Sequence, residues 1–388
     1  MTKHQLQAEL LRCEYCEEKP CEEACPVNCS PFDFIMAARM GNPSDIKRSA
    51  AEIMRNNPLG GVCGMVCPDT LCMAACTHRE FDGSINIPKI QATVVQMAKQ
   101  LGGIPNFSIP TPNGKKIAVV GGGPAGLGAA AALAQMGYAV DIFEAREKLG
   151  GMMNLIPVDR LDRNVVETDI AFLLSLGQIK AKTGTKVDDP KSLLEQGYDA
   201  ICVTIGLWKP IELGIENESL AITMDSLLSN PQNFNFKGRV AVVGGGATAL
   251  DCAITAKARG ATQVGLFMLE KLSEMPLTAR ERQDLVEYDI EVNGRMRVTR
   301  VLSDSQGLWG IKTLKVELPE GLPFSPANVR DVDGTDCLCA DIEAVIVSIG
   351  MRSTLPLEQT EGVFYAGDML TGPKTVVQAV ASGKNVAL

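Results

Sequence analysis

The sequence predicts an α/β chain in which a cysteine-rich, helical N-terminal region precedes two nucleotide-binding βαβ units. Three observations carry this reading. Nine of the 13 cysteines fall between Cys13 and Cys76. The stretch KKIAVVGGGPAGLGAAAALAQMGYAVDIFE, starting at Lys115, reads as strand, glycine turn, small-residue helix and second strand. A similar unit, GRVAVVGGGATALDCAITAKARGATQVGLFMLE, begins at Gly238, about 120 residues later.

Composition narrows the function classes. Over 388 residues, 46% are apolar and only 5% aromatic, which suits Ala/Val/Gly-rich strands and helices. The formal net charge is -9 and no basic run stands out, so a nucleic-acid ligand is not expected. The N-terminus MTKHQLQAELLRCEYC lacks the apolar core of a secretory signal. The longest apolar stretch, Ile117 to Val140, is broken by six glycines and a proline and is not a membrane span. A cytoplasmic protein without membrane attachment is the expectation.

The N-terminal region, to about residue 112, contains helical stretches at Phe32–Met40, Asp45–Asn56 and Ile87–Leu101, and ends in a Gly/Pro/Asn-rich linker, Gly102–Lys116. Its cysteines form two runs, Cys13-x2-Cys16-x4-Cys21-x3-Cys25-Pro26 and Cys63-x3-Cys67-x4-Cys72-x3-Cys76, which share the spacing C-x4-C-x3-C. Thiolates are soft ligands that select iron–sulfur clusters or zinc. Dense runs with a Cys-Pro, placed ahead of two nucleotide sites, favour redox clusters. Structural zinc and inert buried thiols are the alternatives.

In the first unit, Gly121, Gly123 and Gly126, with Pro124 and Ala125 between them, allow a tight turn and close approach of a pyrophosphate to a helix N-terminus. Glu144 follows 23 residues after Gly121, where a carboxylate can accept hydrogen bonds from a ribose. Gly150 and Gly151 let the chain pass a second phosphate face. Near the C-terminus, Tyr365-Ala366-Gly367-Asp368 resembles the strand-end Gly-Asp of flavoproteins with two dinucleotide sites, where the Asp holds the ribityl chain of FAD. Lys374, Thr375 and Val376 then read as a helix start whose N–H groups can face a flavin edge.

The second unit, Gly244, Gly246, Ala247, Thr248 and Ala249, has alanine at the third glycine position and is expected to hold a nicotinamide dinucleotide. Beyond the strand Gln263–Met268 come Leu269, Glu270 and Lys271. A 2′-phosphate needs cations at this turn, whereas a free 2′-hydroxyl suits an acid. Glu270 therefore favours NADH over NADPH, with Lys271 arguing the other way.

With these residues in view, the whole chain resembles the electron-input portion of dihydropyrimidine dehydrogenase, an architecture shared with the small subunit of glutamate synthase. NNPLGGVCGMVCPDTLCMAAC, GSINIPKIQ, IPVDRL, GGGATALDCA and KTVVQAVASGK carry the resemblance. It implies an N-terminal α-helical domain with two [4Fe–4S] clusters, followed by a flavoprotein with two dinucleotide-binding domains, the NAD(P)H domain inserted in the FAD domain. On that pattern one cluster takes Cys13, Cys16, Cys21 and Cys76, and the other takes Cys25, Cys67, Cys72 and Gln91. Cys29 and Cys63 are then non-ligands. Arg160 matches an arginine placed between flavin and nearby cluster. The chain departs from the NADP-binding members, which carry arginines where Leu269 and Glu270 stand.

The implied domains are 1–112 for the clusters, 113–221 with 341–388 for FAD, and 222–340 for NAD(P)H. The return to the FAD domain is read from Ile342–Ile349 as a strand followed by Gly367 and Asp368. The implied activity is hydride transfer from the nicotinamide to FAD, then single-electron transfer through the clusters to a separate catalytic subunit in a hetero-oligomer. An FMN- and iron–sulfur-containing subunit that reduces uracil or thymine is the first candidate partner. A glutamate synthase large subunit, or service to ferredoxin or another oxidoreductase, follows. A non-catalytic redox sensor is the reading from a different class. The outlying cysteines Cys202, Cys252, Cys337 and Cys339 contain no C-x-x-C pair, which disfavours a disulfide shuttle.

Overall fold

A computed structural model describes all residues except Tyr15 and Asn106, the latter lying in the Gly102–Lys116 linker. The chain forms two compact units. One comprises Met1–Asn154, Val158–Leu207 and Ser353–Leu388; the other comprises Leu155–Pro157 and Trp208–Arg352.

The first unit begins with helices whose limits follow local chemistry. Thr2 and Gln5 form a reciprocal capping box at the start of Lys3–Arg12. Ser30 caps Pro31–Ala38 by accepting the Asp33 N–H, and proline opens both that helix and Pro43–Asn56. Along Pro43–Asn56 the buried residues Ile46, Ser49, Ala50, Ile53 and Met54 recur at helical spacing and form its inner face. The helix Gly60–Val66, which carries Cys63, packs on Ile87–Gln100 at Gly64, where a Cβ would collide with the Ala92 backbone.

The same unit contains a parallel sheet in the order Val363–Tyr365, Ala200–Val203, Lys116–Val120, Ala139–Phe143, Gln178–Lys182. The central strands are buried along almost their whole length, and their residues are apolar apart from Lys116 at the exposed start of its strand and Asp141, which is paired with Lys116 and Lys182. The helix Pro124–Gln135 lies against the C-terminal helix Val376–Ala387 with no side chain between them at two points. A Cβ on Gly128 would stand 3.1 Å from Val380 Cα, and one on Gly383 would overlap the Ala125 carbonyl oxygen.

The second unit repeats the arrangement. Its parallel sheet runs Ile222–Thr223, Ile342–Val347, Arg239–Val243, Gln263–Met268, Ile290–Gly294. An antiparallel ribbon of Met296–Asp304, Gly307–Glu317 and Cys337–Ala340 packs beside it. Here the structure corrects one expectation. The strand at Ile342 pairs with Arg239–Val243 and Ile222–Thr223 in the second sheet, so it does not open the return to the first sheet. That return comes at Val363–Tyr365, beside Ala200–Val203. The apolar run at Ile342 suits a central parallel strand of either sheet, and only long-range pairing decides which one receives it. No helix among the described residues is long and apolar enough to cross a membrane.

Candidate functional site

The first glycine loop stands where the strand order reverses, between Ala139–Phe143 and Ala200–Val203, the position at which such sheets take ligands. Gly121 has φ +107°, and a Cβ there would lie 2.7 Å from the Thr204 carbonyl oxygen, so only glycine fits. The Gly126 site is likewise closed by the Gly121 carbonyl and the Thr204 hydroxyl. Thr204 Oγ1 donates towards Gly121 O at 2.9 Å and Val120 O at 3.1 Å, fixing the turn from behind. The Glu144 carboxylate is held over the loop, accepting the Gly122 N–H at 2.8 Å and the Arg146 N–H at 2.8 Å.

In front of the loop lies space. Gly123 is the N-cap of Pro124–Gln135 and makes no side-chain cap. A Cβ on it would have only Gly151 Cα near, at 3.8 Å. The Gly150 N–H donates to Gly122 O at 2.8 Å, which lays the Gly150–Gly151 turn beside the loop. Ala125 and Pro124 form the first helical turn, and Ala125 Cβ would be 2.7 Å from a Cβ on Gly367. Gly367 and Asp368 are thereby brought to the glycine loop from more than 200 residues away in sequence. Asp368 Oδ1 is buried without a hydrogen-bond partner. Burial pushes its pKa up to about 6, against the opposing hydrogen bond from the Lys374 N–H and the Lys374 charge. A buried carboxylate oxygen lacking a donor, next to an uncapped helix N-terminus, fits a polyhydroxylated diphosphate such as FAD. Thr375 and Gln378 form a capping box at the start of Val376–Ala387, leaving the Val376 and Val377 N–H groups outside that exchange.

The N-terminal thiols are crowded enough to raise one another's pKa. Burial first, and then the neighbouring Cys21, Cys16 and Cys76 thiols, push Cys13 up to about 12. Burial together with Cys76 and Cys16 pushes Cys21 up to about 11, against backbone hydrogen bonds that lower it. Cys67 is raised by its hydrogen bond to Cys63, by burial and by Cys63, Cys72 and Cys25. Cys72 is pushed up to about 12 by burial and then by Cys25 and Cys21. Cys13, Cys16, Cys21 and Cys76 thus act on one another, as do Cys25, Cys63, Cys67 and Cys72, and Cys21 and Cys72 link the two neighbourhoods. Gln91 is buried on Ile87–Gln100, and its Nε2 donates to Gly60 O at 2.7 Å. Crowded soft thiols fit iron–sulfur ligation, in which positive iron would reverse the upward pressure on them. Among the described residues, no three His, Cys, Asp or Glu side chains converge on a single metal ion. Arg160 lies half-buried in the turn between Gly151–Leu155 and Arg163–Leu174.

The second loop repeats the first. Gly244 has φ +140° and is closed by the Ser348 carbonyl, while Gly246 N-caps Ala247–Ala258 without a side-chain cap and has open space where a Cβ would stand. Ala247, Thr248 and Ala249 form the first helical turn. Glu270 reaches back over the loop, since a Cβ on Gly245 would stand 2.8 Å from its Oε2.

Residues 1–102 match the family model of dihydropyrimidine dehydrogenase domain II with its 4Fe-4S cluster, and residues 115–383 match the pyridine nucleotide-disulphide oxidoreductase model. The chain is 31% identical to the NAD-dependent dihydropyrimidine dehydrogenase subunit PreT of Escherichia coli O157:H7, across 98% of this chain and 92% of that protein. The chain belongs to the PreT family of pyridine nucleotide-disulphide oxidoreductases. It is also 28% identical to the glutamate synthase [NADPH] small chain of Escherichia coli K12, over 99% of this chain and 90% of the relative. The thioredoxin reductase of T. acidophilum shares the fold over 70% of this chain and 97% of that one, with a TM-score of 0.53 at 18% identity. As a PreT-family protein, the chain is an NAD(P)H-dependent flavin oxidoreductase with a 4Fe-4S region.

Two features of this PreT-family chain had no signal in residue spacing. Asp169, wholly buried on Arg163–Leu174, accepts the Val62 N–H at 2.9 Å and Lys99 Nζ at 2.6 Å, tying the flavin-side helix to the cysteine-bearing region. Lys384, on the C-terminal helix, donates to Val27 O at 2.7 Å and Asn56 O at 2.6 Å, beside Cys25 and Cys29. An Asp and a Lys on helices read from sequence as surface charges, and only tertiary packing buries Asp169 and half-buries Lys384.

Proposed function

We propose that the chain takes electrons from NADH and passes them to a partner catalytic subunit that reduces a pyrimidine such as uracil or thymine. The observation that carries this reading is the presence on one chain of two glycine-loop nucleotide sites and an N-terminal cysteine-rich region that matches a 4Fe-4S family model. When bound, FAD accepts hydride from the nicotinamide and the clusters carry electrons singly. The chain's own residues bind and orient. Gly121, Gly123, Gly126 and Glu144, with Asp368 and the Val376 helix, would hold FAD. Gly244, Gly246 and Glu270 would hold the nicotinamide dinucleotide. Cys13, Cys16, Cys21 and Cys76 would hold one [4Fe–4S] cluster, and Cys25, Cys67, Cys72 and Gln91 the second. Arg160 would place a cation between flavin and cluster.

The functional domains we assign are the cysteine region up to the linker near residue 112, the first sheet for FAD and the second for NAD(P)H. NADH is preferred because Glu270 faces the second loop and because the PreT relative is named NAD-dependent. The partner would be an FMN- and iron–sulfur-containing subunit in a cytoplasmic hetero-oligomer. The likeness to the glutamate synthase small chain supports a second reading, in which the partner is a glutamate synthase large subunit.

The test is anaerobic purification of the native complex, identification of the co-eluting subunit, and assay of NADH-dependent uracil or thymine reduction. A glutamate synthase large subunit in its place would overturn the pyrimidine assignment. Failure of NADH to bleach the flavin of the isolated chain would overturn the electron-input reading and favour a redox sensor.

A further inference from the structure

The turn that follows Gln263–Met268 holds a charge arrangement beyond Glu270. Gln263–Met268 and Ile290–Gly294 are adjacent parallel strands with Met268 opposite Gly294. The next residue on each strand therefore emerges at the carboxyl edge of the sheet, on the side where the second glycine loop lies. Arg295 emerges there beside Leu269 and Glu270. Its backbone is left-handed, at φ +56°, a region uncommon for a side chain of this size. Its own N–H donates to Glu270 O at 3.1 Å.

The Arg295 guanidinium is committed on several sides. Nη1 donates to Leu269 O at 2.6 Å, and Nη2 donates to Glu274 Oε1 at 2.7 Å. Its plane sits 5.5 Å from the ring centre of Phe324, and the side chain is only 14% exposed. Glu274 is itself fixed, because its other oxygen accepts the Lys271 N–H at 2.9 Å. That hydrogen bond and the Arg295 charge hold the Glu274 carboxyl below its usual range, against burial. At one turn, then, an anion faces the glycine loop and a cation beside it is retained by a second anion.

We propose that Glu274 is a positioning residue for coenzyme choice, withholding Arg295 from the 2′ position of the adenosine ribose so that Glu270 meets it without that guanidinium. A free 2′-hydroxyl donates to Glu270. A 2′-phosphate meets the Glu270 charge without the neighbouring guanidinium that would neutralise it. This deepens the assignment of the second loop as the nicotinamide site and rests on it.

The experiment is equilibrium titration of the intact, flavin-loaded chain with two probes, ADP and adenosine 2′,5′-bisphosphate. In Glu274→Gln the pair is broken while the side chain keeps its shape. The expected result is a gain of roughly tenfold in affinity for the 2′-phosphate probe relative to ADP, the scale of one added charge-assisted hydrogen bond. Glu274→Gln combined with Arg295→Met should lose that gain, and Arg295→Met alone should show none. Glu274→Asp, a milder change, should give a smaller gain in the same direction. An unchanged ratio in both Glu274 variants, with ADP still bound, overturns the inference alone. So does a gain that survives removal of Arg295. If neither probe binds the unsubstituted chain while flavin is retained, the nicotinamide-site assignment fails and this inference fails with it.

Discussion

Asp368 makes flavin affinity depend on pH in a direction that can be worked out from its surroundings. Its Oδ1 receives no hydrogen bond from the chain, and burial raises its pKa from the ordinary 3.8 to about 6. Because the folded value lies above the unfolded one, the stability linked to this group is fully present below pH 3.8. It is lost as pH rises through about 6. At pH 7.5 the ionised carboxylate, with only the chain's own partners, thus costs the fold about 3 kcal/mol, at about 1.4 kcal/mol for each pKa step. A ribityl hydroxyl donating to Oδ1 relieves that cost, so FAD binds the ionised form and favours its formation. If the hydrogen bond restores the ordinary pKa, affinity falls roughly tenfold between pH 7.5 and pH 5. Apoprotein titrated with FAD, followed by quenching of flavin fluorescence, measures this directly. Asp368→Asn keeps the shape and removes the charge, and its affinity should be flat over the same interval. A flat profile in the unsubstituted chain, or an equal slope in Asp368→Asn, would refute the reasoning.

Other outcomes follow from packing and from the thiol region. Asp169→Ala leaves the Val62 N–H without its acceptor and Lys99 without its counter-ion, and should destabilise the first unit by about 3 kcal/mol, the low end for a broken buried pair, because Lys99 keeps some solvent and its hydrogen bond to Thr168 Oγ1; a shift in urea midpoint reads it, and an unchanged midpoint would contradict the buried-pair account. Gly383→Ala forces the C-terminal helix off Ala125 and should cost about 1–3 kcal/mol or more, with loss of bound FAD in the purified protein as the visible consequence. Gln91→Ala should alter the EPR signal of one cluster and spare the other, and two unaltered signals would remove Gln91 as a ligand.

Much of the site is legible in the sequence because it depends on short-range geometry. The glycine turns at Gly121 and Gly244 need left-handed or crowded backbone, so residue type alone marks them. Glu144 and Glu270 lie at the ends of the strands that follow, and the strand–helix–strand repeat fixes how far along the chain each must be. In both loops the acid does reach back over the second glycine. Gln91 is different: it lies inside a helix, and no residue pattern distinguishes it from a solvated glutamine, so only resemblance to a family singled it out.

What the sequence by itself determined is the local pattern: two loop-and-acid βαβ units, two cysteine runs and the caps that start the helices. Those features arise from backbone sterics and residue chemistry within a few tens of residues. What only the tertiary structure decided is pairing across distance. The strand at Ile342 joined the second sheet and not the first, and Asp368 was delivered to a loop more than 200 residues earlier. Asp169 was buried and Lys384 half-buried against the cysteine region. An apolar strand or a charged helix residue suits several partners equally well, and the choice is made by which close contacts the whole fold can satisfy at once.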